Sequence, residues 1–120
     1  PMELYLTPKS AYAAGFIGHY NMIEGKLWTK LIGDSDAIGS YAIRPESIEI
    51  SDSPNLVQPG IICIMGIVKQ TIYQGKIVRY IVDVDHLSLD VDCLYEEQSQ
   101  YKRGDKVYLC IREENIIHYK

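Results

Sequence analysis

Five residues able to bind a cation or move a proton crowd into ten positions: Asp83, Asp85, His86, Asp90 and Asp92. Asp83 and Asp85 alternate with apolar residues, as do Asp90 and Asp92, so each pair shares one face of a strand. If the two strands lie side by side, four carboxylates converge, a donor set suited to Ca²⁺ or Mg²⁺. The same alternation also accounts for them as the solvated outer face of a sheet, with Arg79 nearby. Nucleophilic catalysis needs a Cys or Ser beside a His and an orienting acid. His19, His86 and His118 stand in no such motif, and there is no Gly-x-Ser-x-Gly elbow. The Walker phosphate loop and the GxGxxG fingerprint are absent too, so no catalytic residue is assigned and no nucleotide hydrolysis is expected of these residues. Ten tyrosines raise the question of base stacking. Basic neighbours are few, as at Arg79-Tyr80 and Tyr101-Lys102-Arg103, and the net charge is −4, so the tyrosines read as packing and interface residues and no nucleic-acid partner is expected.

The elements that must position these residues are mostly strands. Ile and Val number 24 against 14 Ala and Leu, a bias toward side chains that suit a pleated surface. Only the first eighteen residues read as helical, with Thr7 as N-cap, Pro8 in the first turn and Gly18 as the stop. Residues 21–32 read as a strand with a break at Gly25, and residues 33–36 as a turn. Residues 40–43 read as a short strand ending at Arg44-Pro45-Glu46, because Pro45 keeps Arg44 out of the α region. Residues 51–60 hold two prolines and a glycine and read as a loop. The clearest pattern follows. Residues 61–73 form a long strand, Gln74-Gly75 a hairpin turn, and residues 77–85 a strand with Val78, Tyr80, Val82 and Val84 on one face. Leu87, Leu89, Val91 and Cys93 alternate with polar residues, as do Val107, Leu109 and Ile111, and a last short strand ends the chain. No repeat of fixed period is evident. Short links between many strands predict a small closed barrel, since closure removes exposed edges. The expected fold class is mostly β, an OB-like barrel or pair of barrels with one N-terminal helix.

A chain of 120 residues buries enough surface to fold without a metal or a disulfide. Cys63, Cys93 and Cys110 are odd in number, widely spaced and set in apolar segments, so no disulfide framework and a reducing compartment are expected. No apolar run approaches the ~20 residues of a membrane span. The start, Pro1-Met2-Glu3, lacks the regions of a signal peptide and reads as the interior of a longer chain.

Two stretches carry a resemblance. Met2-Glu3-Leu4-Tyr5, Pro8 and Ala13-Ala14-Gly15-Phe16-Ile17-Gly18, followed by Asn21 and Gly25, resemble the segment just after the ATPase core of ABC importers. Ala42-Ile43-Arg44-Pro45-Glu46-Ser47-Ile48 resembles the Ile-Arg-Pro-Glu signature of the TOBE domain. Gly66-Ile67-Val68, Tyr73-Gln74-Gly75, Tyr80-Ile81-Val82 and Gly104-Asp105-Lys106-Val107-Tyr108-Leu109 continue it in order. The interval of nine residues between Leu31 and Tyr41 is shorter than the first lobe of sugar-importer relatives.

The resemblance implies a regulatory and dimerisation domain of the ATP-binding subunit of an ABC importer, for a polyamine, ferric ion or similar small solute. It implies a helical linker at 1–20 after an ATPase core outside this chain, and an OB-like TOBE domain at 21–120. Within that domain, residues 21–50 would be an abbreviated first part and 61–120 the main barrel. It implies a second copy as partner, the ATPase core and through it membrane permease subunits, and a small solute or regulator. It implies a cytoplasmic place at the inner face of the membrane. No cofactor is expected in this chain; ATP and Mg²⁺ would belong to the core. Arg44, Pro45 and Glu46 carry the signature. Arg44 would be an anion ligand or intersubunit partner, or Pro45 would fix a corner while Arg44 and Glu46 pair locally. The rival readings are a free-standing oxyanion binder of molybdate type and a nucleic-acid-binding OB module.

Overall fold

The computed structural model describes residues 19–33, 38–54, 58–97 and 100–120. The helix expected before Gly18 lies outside the described residues. Eight strands and one α-helix are described: β1 (Asn21–Glu24), α1 (Gly25–Ile32), β2 (Ser40–Ile43), β3 (Ile48–Ser51), β4 (Ile61–Gln74), β5 (Ile77–Val84), β6 (Leu87–Leu94), β7 (Lys106–Arg112) and β8 (Ile116–Tyr119). Two 3₁₀ turns, Pro45–Ser47 and Glu113–Asn115, complete them.

Residues 25–32 are a helix, where the sequence reads as a strand over residues 21–32 broken at Gly25. Leu27, Trp28 and Leu31 have helical spacing, and Lys26, Leu27, Lys30 and Leu31 are good helix formers. Trp28 is buried, and Leu31 packs against the same core. Gly33 closes the helix in the left-handed conformation (φ 77°), its amide bonded to the Thr29 carbonyl at 2.7 Å. Among the described residues no helix is long and apolar enough to cross a membrane.

The strands form two antiparallel sheets, β1-β2-β8 and β3-β7-β4-β5-β6. The division expected at 50 and 61 is crossed twice. Strand β3 leaves the first segment for the large sheet, and β8 returns from the second to the small one. Each crossing is made by a 3₁₀ turn, and the two crossings correspond. Ile43-Arg44-Pro45-Glu46-Ser47-Ile48 is matched by Ile111-Arg112-Glu113-Glu114-Asn115-Ile116. The ladders obey the same correspondence: Ile43 pairs with Ile116 in the small sheet, and Ile48 with Ile111 in the large one. The internal repeat is six residues long and escapes a search for a fixed period.

Two tight hairpins build the large sheet's centre. Gly75 (φ 65°) and Lys76 join β4 to β5. Asp85 (φ 49°) and His86 (φ 71°) join β5 to β6 as a two-residue turn with both residues left-handed, which fits the twist of the flanking strands. One core serves both sheets. Ile23, Trp28, Tyr41 and Ile43 from the small sheet and α1 pack with Val68, Val82, Leu89, Val107 and Leu109 of the large one. Gly66 is needed where the inner face is most crowded: a Cβ there would lie 2.5 Å from Val82 Cγ1 and 2.9 Å from Val84 Cγ2.

Two expectations are corrected. The large sheet curls but does not close, because among the described residues no ladder joins β3 to β6. Cys63 and Cys110 are joined by a disulfide, although wide spacing in sequence had argued against one. They are direct cross-strand partners in the β4–β7 register, with Cα atoms 4.1 Å apart. Sheet register, which spacing in the sequence does not reveal, brings them together.

Gly39 combines a positive φ (75°) with backbone contact: a Cβ there would stand about 2.0 Å from the Tyr119 carbonyl oxygen. Gly39→Ala is therefore expected to cost about 3 kcal/mol or more, since neither backbone can yield cheaply. Thermal melting of the variant checks this.

Candidate binding seam and signature corner

The first crossing carries the signature residues. Arg44 is extended (φ −70°, ψ 136°), as a residue before proline must be. Pro45 is buried at the start of the 3₁₀ turn, where its missing N–H costs nothing. The Arg44 carbonyl accepts hydrogen bonds from the Ser47 amide (3.0 Å) and the Ser47 hydroxyl (2.7 Å). The Arg44 Nε donates to the Tyr20 hydroxyl at 2.9 Å, with the guanidinium carbon 5.3 Å from that ring's centroid. Glu46 is exposed at the mouth of a neighbouring cavity.

That cavity, about 820 Å³, opens at the unpaired seam between β3 and β6. Ile48, Ile50 and Ile77 supply apolar walls, and Glu46, Glu49 and Glu96 bring carboxylates. Glu49 stands 3.6 Å from Arg112. The Tyr80 hydroxyl accepts the Tyr101 amide at 3.3 Å, and the two rings meet edge-on with centroids 5.5 Å apart. Burial pushes both phenols above their ordinary pKa. Cys93 lies in the same wall, and burial, aided by Asp92 and Glu96, pushes its thiol up to about 11. A thiol with that pKa is a poor nucleophile near neutrality. The arrangement suits non-covalent capture of a cation with an apolar stem.

A second concavity, about 620 Å³, carries the opposite charge. A bulge in β4 between Val68 and Gln70 leaves Lys69 outside the ladder, and the following turn adds Lys102 and Arg103 beside Tyr73 and Tyr101. Asp105 fixes that turn by accepting the Lys102 amide at 2.7 Å. Three cations around two aromatic rings suit an anion.

The acidic run is dispersed. Asp92 holds Arg79 through two bonds of 2.7 and 2.8 Å, and this hydrogen bonding is the main reason the Arg79 pKa lies above its ordinary value. Asp90 meets His19 at 2.6 Å and Asp85 meets Lys30 at 3.3 Å. Asp83 faces Ser88 across the β5–β6 ladder. Among the described residues, no group of three or more His, Cys, Asp or Glu side chains is placed to hold a metal ion.

Sequence reasoning missed Asn21 as a structural anchor. Its side chain is buried, donates to the Asp90 carbonyl and accepts the Asp90 amide, both at 2.8 Å. An amide thus takes the place of a neighbouring strand on the outer edge of β6. It also missed a stack of three rings, Trp28 on Tyr41 (4.7 Å) and Tyr41 on His118 (4.2 Å). The His118 Nε2 is 2.5 Å from the Ile38 carbonyl oxygen. A buried polar residue beside apolar ones is the only local signal for Asn21, and its partner is remote in sequence.

Residues 41–117, which include both crossings and the whole large sheet, match the family model of the TOBE domain. The chain belongs to the TOBE domain family. This TOBE domain is similar to the uncharacterized ABC transporter ATP-binding protein YdcT of Escherichia coli (strain K12), with 34 % identity over 80 residues. The match takes in 67 % of this chain but 21 % of that protein, so the chain spans about a fifth of its relative's length. The fold is similar to that of the cytoplasmic molybdate-binding protein ModG in a crystal form with molybdate bound. The TM-score is 0.55 at 11 % identity, over 70 % of this chain and 65 % of that one. The expected mostly-β, OB-like class is therefore the observed one.

Two measurements probe this TOBE domain's seam. Asn21→Ala is expected to lower stability by about 1–3 kcal/mol, because two backbone groups of β6 lose their partner; denaturant unfolding checks it. At pH 8 Cys93 is expected to react with iodoacetamide about a hundredfold more slowly in the folded chain than in denaturant, since a pKa of about 11 instead of 9.0 reduces the thiolate by that factor. Its reactivity should then rise steeply between pH 9 and 11.

Proposed function

We propose that this TOBE domain is the regulatory and dimerisation domain of the ATP-binding subunit of an ABC importer for a small solute, a polyamine, ferric ion or similar. The identity to an ABC transporter ATP-binding protein, together with the family match over residues 41–117, is the observation that carries the reading. On this reading ATP and Mg²⁺ are held by a catalytic core outside this chain, and these residues regulate without catalysing. The parent subunit sits at the cytoplasmic face of the membrane against permease subunits.

The mechanism is indirect. Two paired domains hold two cores together while the cores open and close around ATP. A solute in the seam shifts that equilibrium only by binding one state more tightly than the other. The carboxylates Glu46, Glu49 and Glu96 above an apolar wall favour a cationic solute. The latch of Asn21 and His19 on β6 connects the seam's edge to the segment leading upstream.

A second reading is an oxyanion binder of molybdate type. The fold likeness to a molybdate-binding protein favours it, as does the concavity with Lys69, Lys102 and Arg103.

Titration calorimetry with spermidine, ferric citrate, molybdate, tungstate and sulfate separates the two. Micromolar binding of one oxyanion displaces the first reading. Deleting residues 41–117 from the parent subunit is expected to leave ATP binding intact and to abolish pairing of subunits without nucleotide, read by light scattering. Unchanged pairing overturns the dimerisation role.

A further inference from the structure

The outer face of the large sheet bears a self-complementary row. Met65 and Ile67, on the outer side of β4, are 51 % and 41 % exposed. Both are large apolar residues at the centre of a five-stranded sheet, where alternation would ordinarily place polar ones. Ile67 is flanked in register by Lys106 of β7 on one side and Asp83 of β5 on the other. Neither charge forms an ion pair with another described residue. Lys106 lies against the Tyr108 ring, its Nζ 5.7 Å from the centroid. Tyr108 in turn is the cross-strand partner of Met65.

We propose that this face packs against the same face of a second copy, about a two-fold axis running along β4 through Ile67. The inference rests on the dimerisation reading above and names its surface. An axis along β4 exchanges the two flanks, so Lys106 of each copy meets Asp83 of the other, with Ile67 against Ile67 between two reciprocal ion pairs. An axis across the strands would set Lys106 against Lys106 and Asp83 against Asp83, which like-charge repulsion opposes. The charges thus select one arrangement of a closed, isologous dimer. A foreign partner would require no such reciprocity.

The size of the face sets its strength. Three strands about 4.8 Å apart and rows over a few residues give a patch roughly 15 by 20 Å. That lies well below the ~800 Å² per partner of a stable interface, so the contact is weak and concentration-dependent in the isolated chain.

Sedimentation velocity of the 120-residue chain from micromolar to millimolar concentration tests this. A reversible dimer is expected, weakened by salt. Ile67→Asp should leave the circular dichroism spectrum unchanged and raise the dimer Kd about tenfold or more; Lys106→Glu should do the same. The reciprocal swap Lys106→Glu with Asp83→Lys should restore the Kd, an effect that a merely unfolded variant cannot give. Dimerisation unaffected by Ile67→Asp overturns this surface and leaves the dimerisation reading standing. Failure of the swap to restore overturns the axis. A chain that stays monomeric up to millimolar concentration overturns this surface, while the dimerisation reading stands or falls separately on the pairing of parent subunits.

Discussion

Two antiparallel crossings hold this domain together. The first takes the chain from β2 in the small sheet to β3 in the large one, and the second brings it back from β7 to β8. Because β2 pairs with β8, the small sheet depends on both ends of the described chain, and the pairing of β3 with β7 joins the two ends of the large sheet's own segment. The large sheet is one contiguous run of residues 48–112, whereas the small sheet completes its ladder only when β8 returns to β2. The core follows the same logic, since Ile43 at the end of β2 and Ile111 on β7 are both fully buried and both sit two positions before a 3₁₀ turn. Pro45 stabilises the first crossing by fixing φ and by burying its ring, while Ser47 closes the turn onto Arg44.

With the strands committed in this way, the large sheet ends with two edges that approach without pairing. Exposed edges invite unwanted strand addition. The outer edge of β6 is blunted by a buried side-chain amide, and one carboxylate on it by an imidazole. What remains open between β3 and β6 is a seam with carboxylates at its mouth and tyrosines in its wall. The seam exists because the barrel is incomplete, and a closed barrel of the same strands would have filled it with side chains. The cavity and the failure to close are thus the same structural fact.

Much of the architecture was legible. The alternation of Val78, Tyr80, Val82 and Val84 marked the buried face of β5, and these four residues are buried. The proline corner at Pro45, the Gly75 hairpin and the short strand at residues 40–43 were legible from local chemistry. The helix at residues 25–32 was not, because a segment of eight residues is too short for its period to be decided locally, and tertiary burial of Trp28 decides it. The turn at Asp85 and His86 was also hidden, since neither of its two positive-φ positions is the glycine that usually marks such a hairpin. The acidic run was visible as a pattern with Arg79 nearby, but its separate partners His19 and Lys30 were not.

The sequence by itself determined the β-rich class, the position of most strands and the family to which the chain belongs, because propensity, alternation and signature residues are local. Tertiary structure alone decided which strands share a sheet, that Cys63 meets Cys110, that Asn21 reaches Asp90, and that Lys106, Ile67 and Asp83 form one row. Those are facts of register between segments dozens of residues apart. Register is set by how the two crossings fold the inner faces onto one core, and no local window of sequence contains that constraint.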